Sequence, residues 1–186
     1  MAIPAVTTSR TPHEVVEFWR DAGPSKWFRR DAAFDARFHE GFVDAHFSAA
    51  RRALDDWNSE AQGALALLIL LDQFPRNAFR HSAHMFATDS LARYFAQRAL
   101  AAGHDQKIEP ALRLFCYLPF MHSESVDDQE LSLRLHRTLG EASTKHALEH
   151  SEIVRRFGRF PHRNRALGRE STADEEAFLQ GGGFRG

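Results

Sequence analysis

Residues 59–74 read SEAQGALALLILLDQF, a polar start followed by a long apolar run. Ser59 and Gln62 have the spacing of a capping box, in which two side chains satisfy the first free amides of a helix. Behind them Ala64 to Leu71 is an unbroken apolar run. A helix that is apolar all round has no face to offer water, so it belongs at the centre of a domain with other helices around it. Pro75 has no amide hydrogen and pushes Phe74 towards an extended backbone. The sequence therefore predicts that this helix ends at or just before Phe74.

Helix signals recur on both sides, while alternation of period two is nearly absent. Thr11-Pro-His-Glu14 is a capping box with proline at the first helical position, and Gly23 offers a stop. Asp31 opens a segment in which Phe34, Phe38, Val43 and Phe47 approximate one face, with an interruption expected at Gly41. Thr88-Asp-Ser-Leu91 begins a helix that stops at Gly103. Glu109-Pro110 begins a short one ended by Pro119. A helix from Ser123 or Ser125 stops near Gly140, and Glu141 to Phe157 forms another before Gly158. Thr172-Ala-Asp-Glu175 is a third capping box. The expected fold is all-α, seven to eight helices in stacked antiparallel hairpins with no sheet, because the connections are short. The reading takes residues 11–180 as a single helical domain, residues 1–10 as a flexible N-terminal segment and residues 181–186 as a flexible tail.

The 186 residues are 43% hydrophobic and carry a formal charge of −1, enough for one real core and no global field for nucleic acid or an anionic membrane. All but Lys26, Lys107 and Lys145 of the 24 basic residues are arginine, the side chain that grips carboxylates and phosphates with two donors. The single cysteine, Cys116, lies in the apolar string LFCYL and reads as a buried thiol in a reducing compartment. The first residues, MAIPAVTTSRTPHEVV, lack a basic stretch followed by a long apolar one. A cytoplasmic protein is expected.

One element is written twice. Phe74-Pro75-Arg76-Asn77 and Phe160-Pro161-His162-Arg163-Asn164 each follow a helix and precede a loop that leads to a threonine-capped helix. Read as structure, the phenylalanine packs, the proline stops the helix, the arginine bonds the freed carbonyls or a carboxylate, and the asparagine takes a turn conformation. Read as function, the arginines are donors. Residues 155–170 hold six arginines and one acid, and such a concentration repels itself unless acids or a bound anion intervene. Asp72, Glu124, Asp127 and Asp128 are the acids in view.

With LDQFPRN at 71–77, PFMHSE at 119–124 and FGRFPHRNRALGREST at 157–172, the sequence resembles the bacterial domain-of-unknown-function family numbered 924. The likeness runs from the EFW near residue 18 to the AFL at residue 179. The resemblance implies an all-helical, tetratricopeptide-like fold and brings no activity with it. Where the family writes HSED, this chain has His122-Ser-Glu-Ser125, so any role of that last acid passes to Asp127 or Asp128.

The expected function is recognition of an anionic small molecule or an acidic peptide, in a pocket formed by the two Phe-Pro-(His)-Arg-Asn loops and the His122-Ser-Glu124 loop. Its ligand-binding residues are Asp72, Gln73, Arg76, Asn77, Arg159, Arg163, Asn164 and Arg169. His122, Glu124 and His162 are the candidates for proton transfer if the protein is an enzyme. Two alternatives stand beside this. One is a metal-dependent enzyme using His122, Glu124 and His150, although no HExxH and no paired Glu-x-x-His pattern is present. The other is a protein-interaction module in which the arginines and asparagines of the loops are purely structural. No partner among nucleic acids or membranes is expected, and the sequence assigns no cofactor.

Overall fold

Thr11 accepts from the amide of Glu14 while Glu14 accepts from the amide of Thr11, and this box starts α1, Pro12–Ala22. Gly23, at φ 72°, ends it; α2, Pro24–Trp27, follows at once. Asp31 caps α3, Ala32–Ala50, which runs straight through Gly41 instead of breaking there. The structure is a computed structural model that describes residues 10–184. Of the expected flexible segment 1–10, only Arg10 is described, and its Nε donates to Gly41 O at 3.0 Å; the rest lies outside the described residues.

The central helix departs from expectation at both ends. Ser59 makes no capping box: it closes a 3₁₀ turn, Asp55–Ser59, by donating to Asp56 O, and Glu60 stands at the N-terminus of α4, Ala61–Leu68. Gly63 is required there, since a Cβ would fall 2.0 Å from Trp57 O. Nor does the helix end at Phe74. It widens into a π-turn over Ile69–Gln73 and continues as α5, Phe74–Ala78, with Pro75 inside it. A π-turn closes each ring with a donor five residues on, and that wider ring is how the chain accommodates a proline without stopping.

The remaining helices are α6 (Asp89–Ala101), α7 (Pro110–Arg113), α8 (Leu118–Met121), α9 (Val126–Arg137), α10 (Glu141–Phe157) and α11 (Ala173–Gln180). Among the described residues there is no strand, so the fold is all-α. Among the described residues no helix is long and apolar enough to cross a membrane.

These residues form two units: 10–80 with 84–119, and 120–184 with 81–83. In the first, α4 packs against α1 and α6, and α5 against α3. Ala64 to Leu71 are buried at 2% exposure or less, as are Trp19, Phe34, Phe38, Phe74 and Phe115. Each such large side chain contributes about 1.5–3 kcal/mol relative to exposure. Cys116 lies in this core, and burial pushes its thiol up to about 12, so it is inert at neutral pH. In the second unit α9 and α10 pair as a hairpin. Ile153, Val154 and Phe160 form an apolar cluster there, joined by Phe157, Phe178 and Phe184. Phe184 falls in the segment expected to be a free tail. It is instead held by ring packing, which the local string QGGGFRG does not reveal.

Candidate functional site

In the π-turn the amide of Phe74 bonds back to Ile69 O. By the same step Pro75 would serve Leu70 O, but it has no hydrogen to give. His46, fully buried on α3, fills the gap: its Nδ1 is 2.9 Å from Leu70 O. A carbonyl only accepts, so Nδ1 carries the proton and Nε2 the lone pair. Nε2 lies 3.0 Å from His84 Nε2, which therefore donates. Burial pushes His46 down to about 4, against the hydrogen bond to Leu70 O, with His84 adding to the fall. The neighbouring Leu71 O takes the hydroxyl of Thr88 at 2.6 Å.

The side chains of this first element are committed to one another. Arg76 donates through both Nη atoms to Asp89 at 2.9 and 3.1 Å and to Asp72 O at 2.7 Å. Its Nη1 also stands 3.2 Å from the Asp72 carboxylate, which is 1% exposed and takes a 2.6 Å bond from Gln73 Nε2. Asn77 points elsewhere, donating to Asp35 at 2.7 Å beside Arg80. Thus Asp72, Gln73 and Arg76 form one network and Asn77 belongs to another.

The second element has a different backbone. Gly158, in the left-handed region at φ 71°, stops α10, and Pro161 then opens a 3₁₀ turn, Pro161–Arg163. The turn is fixed by the HSE loop: Glu124 Oε1 accepts from Phe160 N at 2.9 Å and from Arg169 Nη1 at 2.8 Å. Burial by itself would raise the Glu124 carboxyl, but those two bonds and the charges of Arg163 and Arg169 outweigh it and hold it below the usual range. Glu124 is thus an ionised anchor. The loop is in turn held from α9 by Gln129, whose Nε2 donates to Met121 O at 2.8 Å and Ser123 O at 2.6 Å. Arg163 donates to His122 O at 2.8 Å and its guanidinium lies 4.6 Å from the Phe160 ring centre.

Glu175, which the sequence marks only as part of a capping box, holds the other arginine. Arg159 meets it with two bonds, at 2.6 and 2.8 Å, and Asn164 Nδ2 lies 3.3 Å from Oε2. Arg159 above all, with the amide of Thr172, pulls the Glu175 carboxyl down to about 2. Its box spacing was legible, but its ion pair requires the loop to return and is not.

His150 completes the site. It is 7% exposed on α10, and Nδ1 donates to His146 O at 2.8 Å, leaving the lone pair on Nε2, which has no hydrogen-bond partner among the described residues. Burial first, then the positive fields of His122, Arg163 and His146, push it down to about 4. Its ring stands 6.4 Å from His122, 5.6 Å from Phe160 and 4.5 Å from Phe184, and His162 stands 5.7 Å from Phe160. His150, His162 and Arg163 therefore gather around Phe160, with His122 beside His150. His122, Glu124 and His150 do not assemble a metal centre: among the described residues no group of three His, Cys, Asp or Glu is placed to hold an ion.

An all-helical protein with an arginine- and histidine-rich second unit is what fold and site define. The sequence profile of the family described as "Bacterial protein of unknown function (DUF924)" matches residues 15–183, and the chain belongs to that family. A solved structure of a protein of unknown function from Agrobacterium tumefaciens is similar to it. The two share 54% identity with a TM-score of 0.90, over 91% of this chain and 97% of that one. No curated protein matches the chain at a significant level.

Proposed function

We propose that the second unit binds an anionic group, carried by a small molecule or by the acidic end of a peptide, beside His150. The observation that carries this is the setting of His150. A buried imidazole with its lone pair on Nε2 stands 6.4 Å from the ring of His122 and within the field of Arg163, while Glu124 and Glu175 answer Arg169 and Arg159. Burial first, and then the charges of His122 and Arg163, disfavour a proton on His150, and a carboxylate or phosphate entering there supplies the missing counter-charge and gains a charge-assisted donor. Binding is then coupled to proton uptake, since His150 rises from about 4 as the anion arrives.

Arg76 and Asn77 are left out of this proposal, because Asp72, Asp89 and Asp35 already hold them. The reading takes the α9–α10 hairpin as a tetratricopeptide-like unit and places the protein in the cytoplasm, where the lone Cys116 stays reduced. Neither nucleic acid nor a membrane is proposed as a partner.

Phosphate, sulfate and small dicarboxylates are expected to raise the melting temperature of the wild-type chain, by about 2.7 kcal/mol of stability at a hundredfold excess over Kd. Calorimetry in buffers of differing ionisation enthalpy is expected to show proton uptake near pH 6. His150→Phe, which keeps the ring packing, is expected to abolish both responses. Anions that leave the wild-type melting temperature unchanged, or bind His150→Phe equally well, overturn the reading.

A further inference from the structure

Four rings of the second unit contact one another in a closed circuit. Phe160 meets His150 at 5.6 Å, His150 meets Phe184 at 4.5 Å, Phe184 meets His162 at 5.2 Å, and His162 meets Phe160 at 5.7 Å. Three of these rings stand on the helix and turn that build the anion site. The fourth, Phe184, is delivered from outside them by three glycines. Both imidazoles meet the Phe184 ring steeply, at 61° and 81°, the edge-to-face geometry that aromatic pairs favour.

The glycine arm is shaped for this delivery. Gly181 and Gly183 donate their amides to Ala177 O and Phe178 O, folding the arm back over the end of α11. Gly182 has φ 85°, which a side chain resists. A Cβ on Gly183 would fall 2.6 Å from both the carbonyl oxygen and the ring of Phe178, so only glycine passes there. The holding contacts are otherwise weak. Phe160 is fully buried and locked through its amide to Glu124, whereas Phe184 is only partly buried.

We propose that Phe184 is an internal occupant of a slot suited to a ligand's aromatic ring, so that the ligand is a ring joined to a carboxylate or phosphate and the Gly181–Phe184 arm competes with it. This rests on the anion site described above and adds the other half of the ligand. His150 serves both halves. Its ring borders the slot, 4.5 Å from Phe184, and its Nε2, once protonated, is the donor to the anion. When the arm leaves, the space between His150, His162 and Phe160 takes the incoming ring, and the anionic group lies towards the buried positive charge of Arg163.

The test uses the full chain with Phe184→Ala and four probes: inorganic phosphate, phenyl phosphate, 3-phenylpropionate and the neutral 3-phenylpropanol. Removing the competitor is expected to tighten phenyl phosphate and 3-phenylpropionate by about tenfold while leaving inorganic phosphate within about twofold, because only ring binding is taxed by the closed arm. Gly183→Ala, which keeps every ring but drives the arm off Phe178, is expected to give the same gain. A short peptide ending in phenylalanine that outbinds 3-phenylpropionate assigns the ring to a peptide terminus, and the reverse order assigns it to a small molecule. If a ring adds nothing to affinity in either variant while phosphate still binds, the slot is overturned and the anion site stands. If 3-phenylpropanol binds Phe184→Ala as well as the anions do, the slot stands and the anion site falls.

Discussion

The two Phe-Pro elements share a spelling and a kind of neighbour, and they differ in what the proline does. In the first unit Pro75 sits inside a helix, and His46 repairs the hydrogen bond it cannot make. In the second, Gly158 has already stopped the helix and Pro161 begins a new turn. Each phenylalanine touches a buried histidine whose Nδ1 donates to a helical carbonyl, at 4.9 Å for Phe74 and His46 and 5.6 Å for Phe160 and His150. Both imidazoles sit near a pKa of 4. The lone pair of His46 accepts a hydrogen bond from His84, whereas that of His150 accepts none from the described residues. The same pair of residue types serves as a repair in one place and leaves an open acceptor in the other.

The two elements differ most at their arginines. Arg76→Ala leaves the buried Asp72 without its ion pair, an expected loss of about 3–5 kcal/mol in urea unfolding. The same change at Arg169 is expected to lose less, because its pair with Glu124 is partly exposed on both sides and water screens it. An equal loss at the two positions would remove the distinction between network and site.

Acid probes what the two elements share. A histidine depressed in the folded state stays neutral while the unfolded chain takes up its proton, so stability falls as pH drops from about 6.5 and levels off near pH 4. Each of His46 and His150 carries on the order of 3 kcal/mol across that window. Glu175 adds a further loss below the usual carboxylate range, since its folded value is about 2. Chemical denaturation from pH 7 to pH 4 measures the fall, and a flat profile would refute the burial of both imidazoles. Saturating phosphate is expected to reduce the His150 share alone.

A smaller effect separates repair from site. His46→Phe keeps a ring but strands Leu70 O, an expected cost of about 1–3 kcal/mol. Adding Pro75→Ala restores an amide donor and is expected to recover part of that loss. The matching pair, His150→Phe with Pro161→Ala, is expected to show no coupling, because His150 bonds a carbonyl that no proline has freed. Smallest of all, Gly158→Ala is expected to destabilise by about 1 kcal/mol through its left-handed backbone. No residue of the first element has such a cap to lose.

What the sequence shows of this is uneven for physical reasons. The boxes at Thr11 and Thr172, the stop at Gly158 and the central place of Ala64 to Leu71 were legible, because caps, left-handed glycines and all-round apolarity act within a turn or two. The passage through Pro75 was not. It depends on His46, 29 residues away, which donates to the freed Leu70 O, and on Thr88, 13 residues away, which donates to the neighbouring Leu71 O. For the same reason only part of what answers the arginines at 155–170 was in view: Glu124, which bonds Arg169, was named, while Glu175 and Glu130, which bond Arg159 and Arg155 across a loop and a helix pair, were not. Phe184 was hidden by three glycines, whose flexibility in isolation disguises their use in reaching His150.

The π-turn at Ile69–Gln73 acts on the first unit as a phase shift. One added residue rotates everything after it by about 100° relative to a straight helix. That rotation decides which neighbours Arg76 and Asn77 meet, so the pairings with Asp89 and Asp35 are written into the helix's phase as much as into its side chains. Deleting Leu71 together with Pro75→Ala would restore the regular pitch and point the same residues at the wrong partners, with the composition of the network almost unchanged.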